Sequence, residues 1–369
     1  MKYLRILAGV GALTVVAACG SGSTGNSSGG GGGSSAASGK IALLLPETKT
    51  ARYEASDRPD ITARLRALGY DTSQLIYNNA NQDASTQQNQ ADAALTNGAR
   101  VLILDPVDST AAAAIATKAQ AAGVPVIAYD RLIKGSAGVT AYVSFDNVKV
   151  GELQAQSLVS ALTAAGRTSP HIVMINGSPT DANAASFKKG AHNVFDPLVT
   201  SGKLTIDKEY DTPDWSPDQA QNEMQQALTA LAGKVDGVYC ANDGTAGGAI
   251  AALTAANLSP LPPVTGQDAE VAGIQRVLAG TQYMTVYKAV RPEAELAAQA
   301  ALDLLGGKRP SGFDTRTDNG SIQVPSHLLT PVAVTRSNVK DTIIADHFHT
   351  AAEICTGQYV RACQAAGIA

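Results

Sequence analysis

The chain has 369 residues, with 28 lysines and arginines against 32 aspartates and glutamates, which gives a formal net charge of −4 at pH 7. It has no run of basic residues, which argues against nucleic acid as a partner. Beyond its N-terminal region about 330 residues remain, a length that favours two domains.

The first 18 residues are predicted to be a signal peptide. Lys2 and Arg5 precede an apolar stretch, residues 6–18, which is short for a membrane span of about 20 residues. Small residues at 16–18 stand directly before Cys19. This pattern resembles the lipobox of bacterial lipoproteins, which implies cleavage before Cys19 and attachment of lipid to it. An ordinary signal peptide followed by a chance cysteine is the alternative.

Residues 19–39 consist almost entirely of glycine, serine and alanine. Such a segment buries little apolar surface, so we expect a flexible linker after the lipidated cysteine. The folded part therefore begins near Lys40. We expect the protein to be lipid-anchored at the extracytoplasmic face of the cell membrane, or to lie in the periplasm.

Beyond Lys40, short apolar runs alternate with alanine-rich stretches of helical period. The runs lack strict polar alternation, which indicates strands that are covered on both faces. Strands and helices that alternate in this way predict parallel sheets with helices on both sides. The predicted strands are Lys40–Leu45, Gln74–Tyr77, Val101–Leu104, Val124–Tyr129, His171–Ile175, Leu204–Tyr210, Val235–Cys240, Val264–Gly266 and Gln282–Tyr287. The predicted helices include Gln82–Thr96, Ser109–Ala122, Lys149–Ala165, Pro217–Leu231, Thr245–Ala256 and Pro292–Leu305.

The strand–helix pattern runs twice, with a break around Ser144–Val148. We therefore expect an α/β fold of two Rossmann-like lobes, each with a doubly wound parallel sheet, on either side of a cleft. In open α/β sheets ligands bind beyond the carboxyl ends of the strands. The residues that follow each strand are thus the candidates for a functional site.

Polar and aromatic residues follow nearly every predicted strand. Two opposite charges, Asp130 and Arg131, end a buried run, and the only tryptophan, Trp215, follows the strand at 204–210. Each also has a structural alternative, such as an ion pair, a loop residue packed on its own domain, or a helix cap. The candidate residues are Arg52, Tyr53, Asp130, Arg131, Asp181, Asn183, Trp215, Asn242, Asp268 and Lys288.

The chemistry of this set favours a ligand with many hydroxyls. Carboxylates accept hydrogen bonds, arginine and lysine donate them, and asparagine does both, whereas a sugar hydroxyl needs both kinds of partner. The fork of an arginine suits two adjacent hydroxyls. Tyr53 and Trp215, one from each lobe, are expected to clamp the apolar faces of a sugar ring. No cysteine–histidine cluster or phosphate loop accompanies the set, so no metal or cofactor is expected.

From Lys40 to about His349 the chain resembles bacterial periplasmic sugar-binding proteins of the type I fold. Within that family it is most similar to the members that bind D-xylose for an ATP-binding cassette (ABC) importer. The residues that carry the resemblance are "AYDR" at 128–131, "SFDN" with "KVGELQAQ" at 144–156, "GSPTDANA" at 177–184, "NDGTAGGAI" at 242–250, "GQDAEVAGI" at 266–274, "AGTQYMTVYK" at 279–288 and "VPSHLLTP" at 324–331.

The resemblance implies a monomeric binding protein that captures a monosaccharide outside the cell and delivers it to membrane permease subunits. It assigns sugar contacts to the same candidate residues and favours D-xylose. Tyr53 stands where the family has a stacking tryptophan, and Ala182 where it has an asparagine. Glucose, galactose and arabinose are therefore alternatives.

The resemblance also implies three chain crossings between the lobes, which would serve as hinges. We expect the crossings near Phe145–Val148, Tyr287–Ala289 and Asn319–Val324. The expected segments are residues 40–146 with 289–322 for the first lobe, residues 147–288 with 323–340 for the second lobe, and residues 341–369 for a C-terminal tail.

Two other functions use similar residues or the same fold. A glycosidase would need paired carboxylates, and Asp130, Asp181 and Asp268 are available. The basic residues among the candidates would keep these carboxyls ionised, whereas a general acid must hold its proton. A sugar-sensing repressor shares the fold, but the export signal and the lack of a DNA-binding headpiece argue against it.

Three cysteines follow Cys19. Cys240 ends an apolar run and is predicted to be a small buried residue. Cys355 and Cys363 are eight residues apart, a rise of about 12 Å on a continuous helix and too far for a disulfide. A break at Gly357 would bring them within reach, and export permits the bond, so a disulfide and two free thiols both stay open.

Overall fold

The computed structural model describes residues 39–368. The predicted signal peptide, the lipid site at Cys19 and nearly all of the linker lie outside the described residues. The strands are β1 Lys40–Leu45, β2 Leu75–Asn79, β3 Ala99–Leu104, β4 Val126–Tyr129, β5 Val139–Phe145, β6 His171–Asn176, β7 Thr205–Asp211, β8 Gly237–Cys240, β9 Met284–Tyr287, β10 Thr315–Asp318, β11 Gln323–Leu329 and β12 Val332–Thr335. The helices are α1 Arg58–Ala67, α2 Ala84–Thr96, α3 Ala113–Ala121, α4 Asn147–Ala164, α5 Ala182–Thr200, α6 Pro217–Ala230, α7 Asp243–Ala255, α8 Val271–Ala279, α9 Val290–Leu305, α10 Ala351–Ile354 and α11 Val360–Ala365.

The first lobe is built on a seven-stranded sheet in the order β10-β11-β5-β4-β3-β1-β2, in which only β10 is antiparallel to its neighbour. Strand β1 shows why its apolar run has no alternation. Leu43 and Leu45 belong to one buried cluster, which α9 covers with alanines, whereas Ala42 and Leu44 belong to another on the opposite face. Helices on both sides of a parallel sheet confirm the predicted α/β class.

The second lobe contains the parallel strands β7-β6-β8 and the antiparallel pair β12-β9. Isolated parallel bridges, Val238 to Val264 and Gln267 to Val286, connect the two groups. The strand predicted at 264–266 is therefore reduced to single bridges. Helices α4 and α5 pack closely, because a Cβ atom at Gly151 would lie 1.9 Å from the carbonyl oxygen of Phe187.

Strands β5, β10, β11 and β12 and helices α1, α5, α8, α10 and α11 were not among the predicted elements. Only nine residues separate β4 from β5, and no helix lies between them. The connection between these two strands therefore departs from the strand–helix alternation expected along the chain. Helix α5 starts directly after Asp181 and carries candidate residues in its first turn.

The chain crosses between the lobes three times. The first two crossings, between β5 and α4 and between β9 and α9, lie at the predicted positions. The third prediction, Asn319–Val324, is wrong, because β11 (Gln323–Leu329) pairs with β5 in the first sheet and β12 pairs with β9 in the second lobe. The crossing therefore lies between Leu329 and Val332, and residues 323–329 belong to the first lobe.

The C-terminal tail, residues 340–368, packs on the second lobe. Ile343, Ile354 and Cys363 are fully buried in one cluster with residues of α8. Cys355 and Cys363 form a disulfide, and Gly357 between them has a left-handed φ of 52° that breaks the helix. Cys240 is a buried free thiol, as predicted. Between residues 39 and 368 no helix has the length and apolar character needed to cross a membrane.

Candidate functional site

The residues predicted from the strand ends meet at one cavity between the lobes. All ten lie in its wall, together with Thr50, Phe187 and Gln267. Arg52, Tyr53, Asp130 and Arg131 come from the first lobe, and the other candidates come from the second lobe or from the crossing at Lys288. Strand ends of both lobes thus point to one enclosed space.

Unusual backbone conformations turn three of these side chains into the cavity. Asp130, Trp215 and Asp268 have φ values of 53°, 54° and 88°, in a region that residues other than glycine rarely adopt. At Asp130 the N–H of Arg131 donates to the carbonyl oxygen of Tyr129 at 2.5 Å, which closes a tight turn. Strained backbone of this kind persists where the surrounding contacts fix it, and it is concentrated at functional sites.

Arg52 is held by two carboxylates behind the cavity wall. Its Nη2 lies 2.6 Å from Asp57 Oδ1 and 2.7 Å from Glu293 Oε2, and its Nε lies 3.0 Å from Asp57 Oδ2. Its Nη1 lies 3.4 Å from Asp130 Oδ1 within the cavity. The guanidinium is therefore fixed before any ligand arrives, which reduces the entropy cost of binding.

Arg131 has a similar support from three carboxylates. Its Nε lies 3.0 Å from Asp181 Oδ2 and 3.6 Å from Asp105 Oδ1, and its Nη2 lies 3.5 Å from Glu47 Oε1. Burial raises the pKa of Asp105 well above its usual range, although Arg131 opposes the shift. The buried carboxyls around Arg131 thus outnumber the single positive charge that compensates them.

Asp130 is a strongly ionised carboxylate in the cavity wall. Burial alone would raise its pKa, but Arg52, Lys288 and Arg131 oppose this effect and, with a hydrogen bond from Tyr53, bring the pKa to about 2. The hydroxyl of Tyr53 donates to Asp130 Oδ2 at 3.0 Å. Asp130 is therefore a permanent acceptor for ligand hydroxyls at physiological pH.

Lys288 lies between carboxylates of the two lobes. Its Nζ is 3.1 Å from Asp268 Oδ1 in the second lobe and 3.8 Å from Asp130 Oδ1 in the first. Burial lowers the pKa of Lys288, but Asp268 and Asp130 more than offset this, so the pKa is raised and the ammonium keeps its charge. Lys288 thus joins the two halves of the cavity by charge.

Trp215 forms the main aromatic wall of the second lobe. Its Nε1–H donates to Asp181 Oδ2 at 3.1 Å, and its ring meets Phe187 edge-on with 6.3 Å between centroids. Gly177 lies against the same ring, since a Cβ atom there would be 2.0 Å from Trp215 Cη2. These contacts fix the indole before binding. Tyr53 lines the cavity from the other lobe.

Three amides complete the wall. Asn183 Nδ2 donates to the carbonyl oxygen of Asp130 at 3.0 Å, a hydrogen bond between the lobes. Asn242 caps α7, because its side-chain oxygen accepts from the N–H of Thr245 at 2.8 Å. It therefore serves as the helix cap considered in the sequence analysis and also lines the cavity. Gln267 Oε1 is buried without a hydrogen-bond partner, which leaves an acceptor for a ligand.

Sequence reasoning missed several members of the site. Gln267 stands beside Asp268, and Phe187 lies one helical turn after Asn183, so strand-end position and helical spacing could have identified both. Among the carboxylates behind the arginines, Asp105 follows β3 and Glu47 follows β1 closely, so strand-end position could also have identified these two, whereas the other two carry no such signal. These supporting residues are Glu47, Asp57, Asp105 and Glu293.

The cavity offers both donors and acceptors beside aromatic rings, the combination that suits a polyhydroxylated ring. Within residues 39–368 no cluster of histidine, cysteine and acidic side chains is arranged to hold a metal ion. Burial raises the pKa of Asp181, and the nearby charge of Asp130 adds to this shift, whereas Arg131 opposes it.

Comparison with known proteins identifies the family. Residues 41–309 match the periplasmic binding protein domain. The chain is 39% identical over 315 residues to the D-xylose-binding periplasmic protein of Escherichia coli (strain K12), covering 85% of this chain and 92% of that protein. It is 36% identical to the multiple sugar-binding periplasmic receptor ChvE of Rhizobium radiobacter, over 86% and 92% of the two chains.

A solved structure supports the same assignment. The ABC transporter solute-binding protein of Clostridium phytofermentans, with bound β-D-glucose, superimposes with a TM-score of 0.80 and 30% identity, over 85% of this chain and 99% of that one. The matching family, the sequence relatives and this solved structure are binding proteins for transport rather than enzymes, which removes the glycosidase alternative. The chain therefore belongs to the periplasmic binding proteins, as a sugar-binding member of the type that serves ABC transporters.

Proposed function

We propose that the protein captures a monosaccharide, with D-xylose favoured, between its two lobes and delivers it to the permease of an ABC importer. The observation that carries this proposal is the convergence of candidate residues from both lobes on one buried cavity. Three cations, three aspartates, amides and aromatic rings surround this cavity.

D-xylose is favoured because two relatives with 39% and 37% identity are named for it. The multiple sugar-binding receptor and the glucose complex make a hexose the main competitor. By the resemblance, Tyr53 and Ala182 depart from the family pattern; Tyr53 lines the cavity, and Ala182 is the first residue of α5, between Asp181 and Asn183. A pentose lacks the exocyclic carbon of a hexose, and an enclosed cavity with fixed walls discriminates by such a difference.

Sugar binding would close the lobes by rotation about the three crossings. Arg131 with Asp181, and Asn183 with the carbonyl oxygen of Asp130, are contacts between the lobes that we expect opening to break. A ligand that touches both lobes favours that arrangement by its differential affinity. The closed lobes would then present a single surface to the permease.

We further propose that Cys19 carries the lipid anchor and that the monomeric protein acts at the extracytoplasmic side of the membrane. The motif before Cys19 and the glycine-serine linker support this part of the proposal. Expression of the full chain in a bacterial host tests it. Lipid labelling should depend on Cys19, and a Cys19→Ala variant should lose both the label and membrane association.

The sugar is identified by thermal shift followed by calorimetry on residues 40–369. D-xylose should raise the melting temperature most among D-xylose, L-arabinose, D-glucose and D-galactose, and should bind with one-to-one stoichiometry. A larger shift with D-glucose would reassign the sugar without changing the class of function. No shift with any of the four sugars would contradict the proposal.

A further inference from the structure

The tail is anchored to the lobe that carries Asp268. Ile343, Ile354 and Cys363 are fully buried against α8, and the Cys355–Cys363 disulfide closes the last turn of the tail. Gln275 Nε2 of α8 donates to the carbonyl oxygen of Ile354 at 2.9 Å. The tail is thus a folded part of the second lobe.

One part of the tail holds the end of β9. The hydroxyl of Tyr287 donates to Asp346 Oδ2, and the rings of Tyr287 and Phe348 lie 5.0 Å apart between centroids. Tyr287 is the residue before Lys288 and lies at the second crossing between the lobes. The tail therefore fixes the backbone from which Lys288 enters the cavity.

Another part of the tail holds the turn that carries Asp268. His349 Nε2–H donates to the carbonyl oxygen of Ala269 at 2.9 Å. Asp268 and Ala269 are consecutive residues with φ values of 88° and 50°, a strained pair that needs external contacts to persist. Strand β9 supports this turn from one side, since Asp268 N–H donates to the carbonyl oxygen of Val286 at 2.9 Å. His349 supports it from the tail side.

The contacts of the tail with Tyr287 and with Ala269 lie beside the two members of one ion pair. Lys288 Nζ and Asp268 Oδ1 lie 3.1 Å apart in the cavity wall. The tail contacts the residue before Lys288 and the residue after Asp268. Phe348 and His349 also line a second cavity, which shares Arg52 and Asp268 with the first. The tail therefore borders the site from outside without reaching the space for the ligand.

We propose that Asp346, Phe348 and His349 are positioning residues for the sugar site, which the tail stabilises through Tyr287 and Ala269. This inference rests on the proposed function. In a sugar-binding protein, the tail would set the geometry of the Asp268–Lys288 pair and thereby the affinity for the sugar. Loss of the tail contacts would weaken binding although no ligand atom is touched.

The test is calorimetric titration of residues 40–369 with D-xylose, and with D-glucose in parallel. Phe348→Ala and Asp346→Ala should each weaken binding of the sugar that the unaltered protein binds, by about five- to tenfold. Asp346 is exposed, so its variant folds even where Phe348→Ala does not. Phe348→Tyr, which keeps the ring against Tyr287, should retain the original affinity.

A matched control separates positioning from stability. Phe313 is buried in the first lobe, outside the cluster that contains the tail. Phe313→Ala should lower the melting temperature of the ligand-free protein and leave the affinity unchanged. If Phe348→Ala and Asp346→Ala also leave the affinity unchanged, the inference is overturned while the proposed function stands.

A double-mutant cycle tests the route through Tyr287. Tyr287→Phe removes the hydroxyl that donates to Asp346, so it should weaken binding as much as Asp346→Ala does. The combination should be no weaker than either single variant. Additive losses would overturn the proposed route. Absence of sugar binding by the unaltered protein would overturn the proposed function, and this inference with it.

Discussion

Arg131 Nε of the first lobe lies 3.0 Å from Asp181 Oδ2 of the second, and the two side chains are only 2% and 3% exposed. The pair joins the lobes at the wall of the cavity, and Asp105 and Glu47 face the same guanidinium. A buried charge is costly when it loses its partner. The closed arrangement therefore depends on Arg131 more than on any exposed ion pair.

Replacement of Arg131 is expected to cost both stability and affinity. Arg131→Ala leaves three buried carboxyls without their cation, which should lower the free energy of unfolding by about 3–5 kcal/mol. Sugar affinity should fall by more than tenfold. Urea unfolding and calorimetry measure the two effects. Arg58→Ala, which breaks an exposed ion pair with Glu54, is the control. It should change the free energy of unfolding and the free energy of sugar binding by no more than about 0.5 kcal/mol each.

Trp215 has two roles that its variants separate. Trp215→Ala should weaken sugar binding by about 2–4 kcal/mol, the scale of a central aromatic anchor. The ring also packs in the core of the second lobe, so a stability loss of about 3 kcal/mol is expected as well. Trp215→Phe should retain part of the sugar affinity and part of the folding stability that Trp215→Ala loses. Calorimetric affinity equal to that of the unaltered protein would show that the ring does not contact the sugar.

Gly177 tests the orientation of the indole without removing it. A methyl group there would lie 2.0 Å from Trp215 Cη2, so Gly177→Ala must displace the ring. We expect at least a tenfold loss of sugar affinity, on the order of 1.4 kcal/mol or more. Gly247→Ala is the matched control, because its nearest contact is the flexible end of Arg276 at 3.3 Å and a helical alanine is favourable. Equal affinities in the two variants would contradict a fixed indole.

The stability of the protein should fall as the pH rises through neutrality. Burial raises the pKa of Asp243 to about 7 and that of Glu270 to about 8. In the unfolded chain these groups titrate near about 4. Between about pH 4 and 8 the folded state therefore binds more protons, and the free energy of unfolding decreases with pH. Asp130, whose pKa is lowered to about 2, has the opposite effect only below about pH 4.

Glu270→Gln isolates one of these groups. Glu270 Oε1 accepts from the N–H of Ala51 across the lobes at 3.2 Å, and an amide oxygen can accept the same hydrogen bond. The variant should have a flatter profile of stability between pH 5 and 8.5, measured by urea unfolding. A profile as steep as that of the unaltered protein would contradict the assignment to Glu270.

The sequence predicted most of the strands and the candidate residues of the cavity, but not every lobe assignment or the carboxylates that support the arginines. Apolar runs located most strands of both lobes, and the residues after them reached the cavity because parallel strands end at one edge. Strand β11 was assigned to the wrong lobe because residues 323–329 follow the expected crossing in sequence, and only pairing with β5 decides their place. Carboxylates such as Glu293 were missed because helix α9 brings them behind Arg52 from 241 residues away.

The disulfide of the tail is expected to be stabilising but local. Closing a loop of this length contributes about 2–3 kcal/mol in the chain-entropy model. A Cys355→Ser/Cys363→Ala variant should therefore lower the melting temperature, and hydrogen exchange should increase in residues 340–368 before the rest of the second lobe. If hydrogen exchange in residues 340–368 is the same in this variant and in the unaltered protein, the disulfide does not hold the tail. Cys240→Ala is the control for the loss of a buried sulfur atom.

The fluorescence of Trp215 tests the central claim most directly, because it is the only tryptophan in the chain and lies in the cavity wall. Titration with D-xylose, L-arabinose, D-glucose and D-galactose should give a saturable change with one of them, at one sugar per chain. Arg131→Ala, which alters the opposite lobe, should shift that curve to higher sugar concentration. An emission spectrum that stays constant with all four sugars, in protein shown to be folded, would contradict a sugar site formed by both lobes.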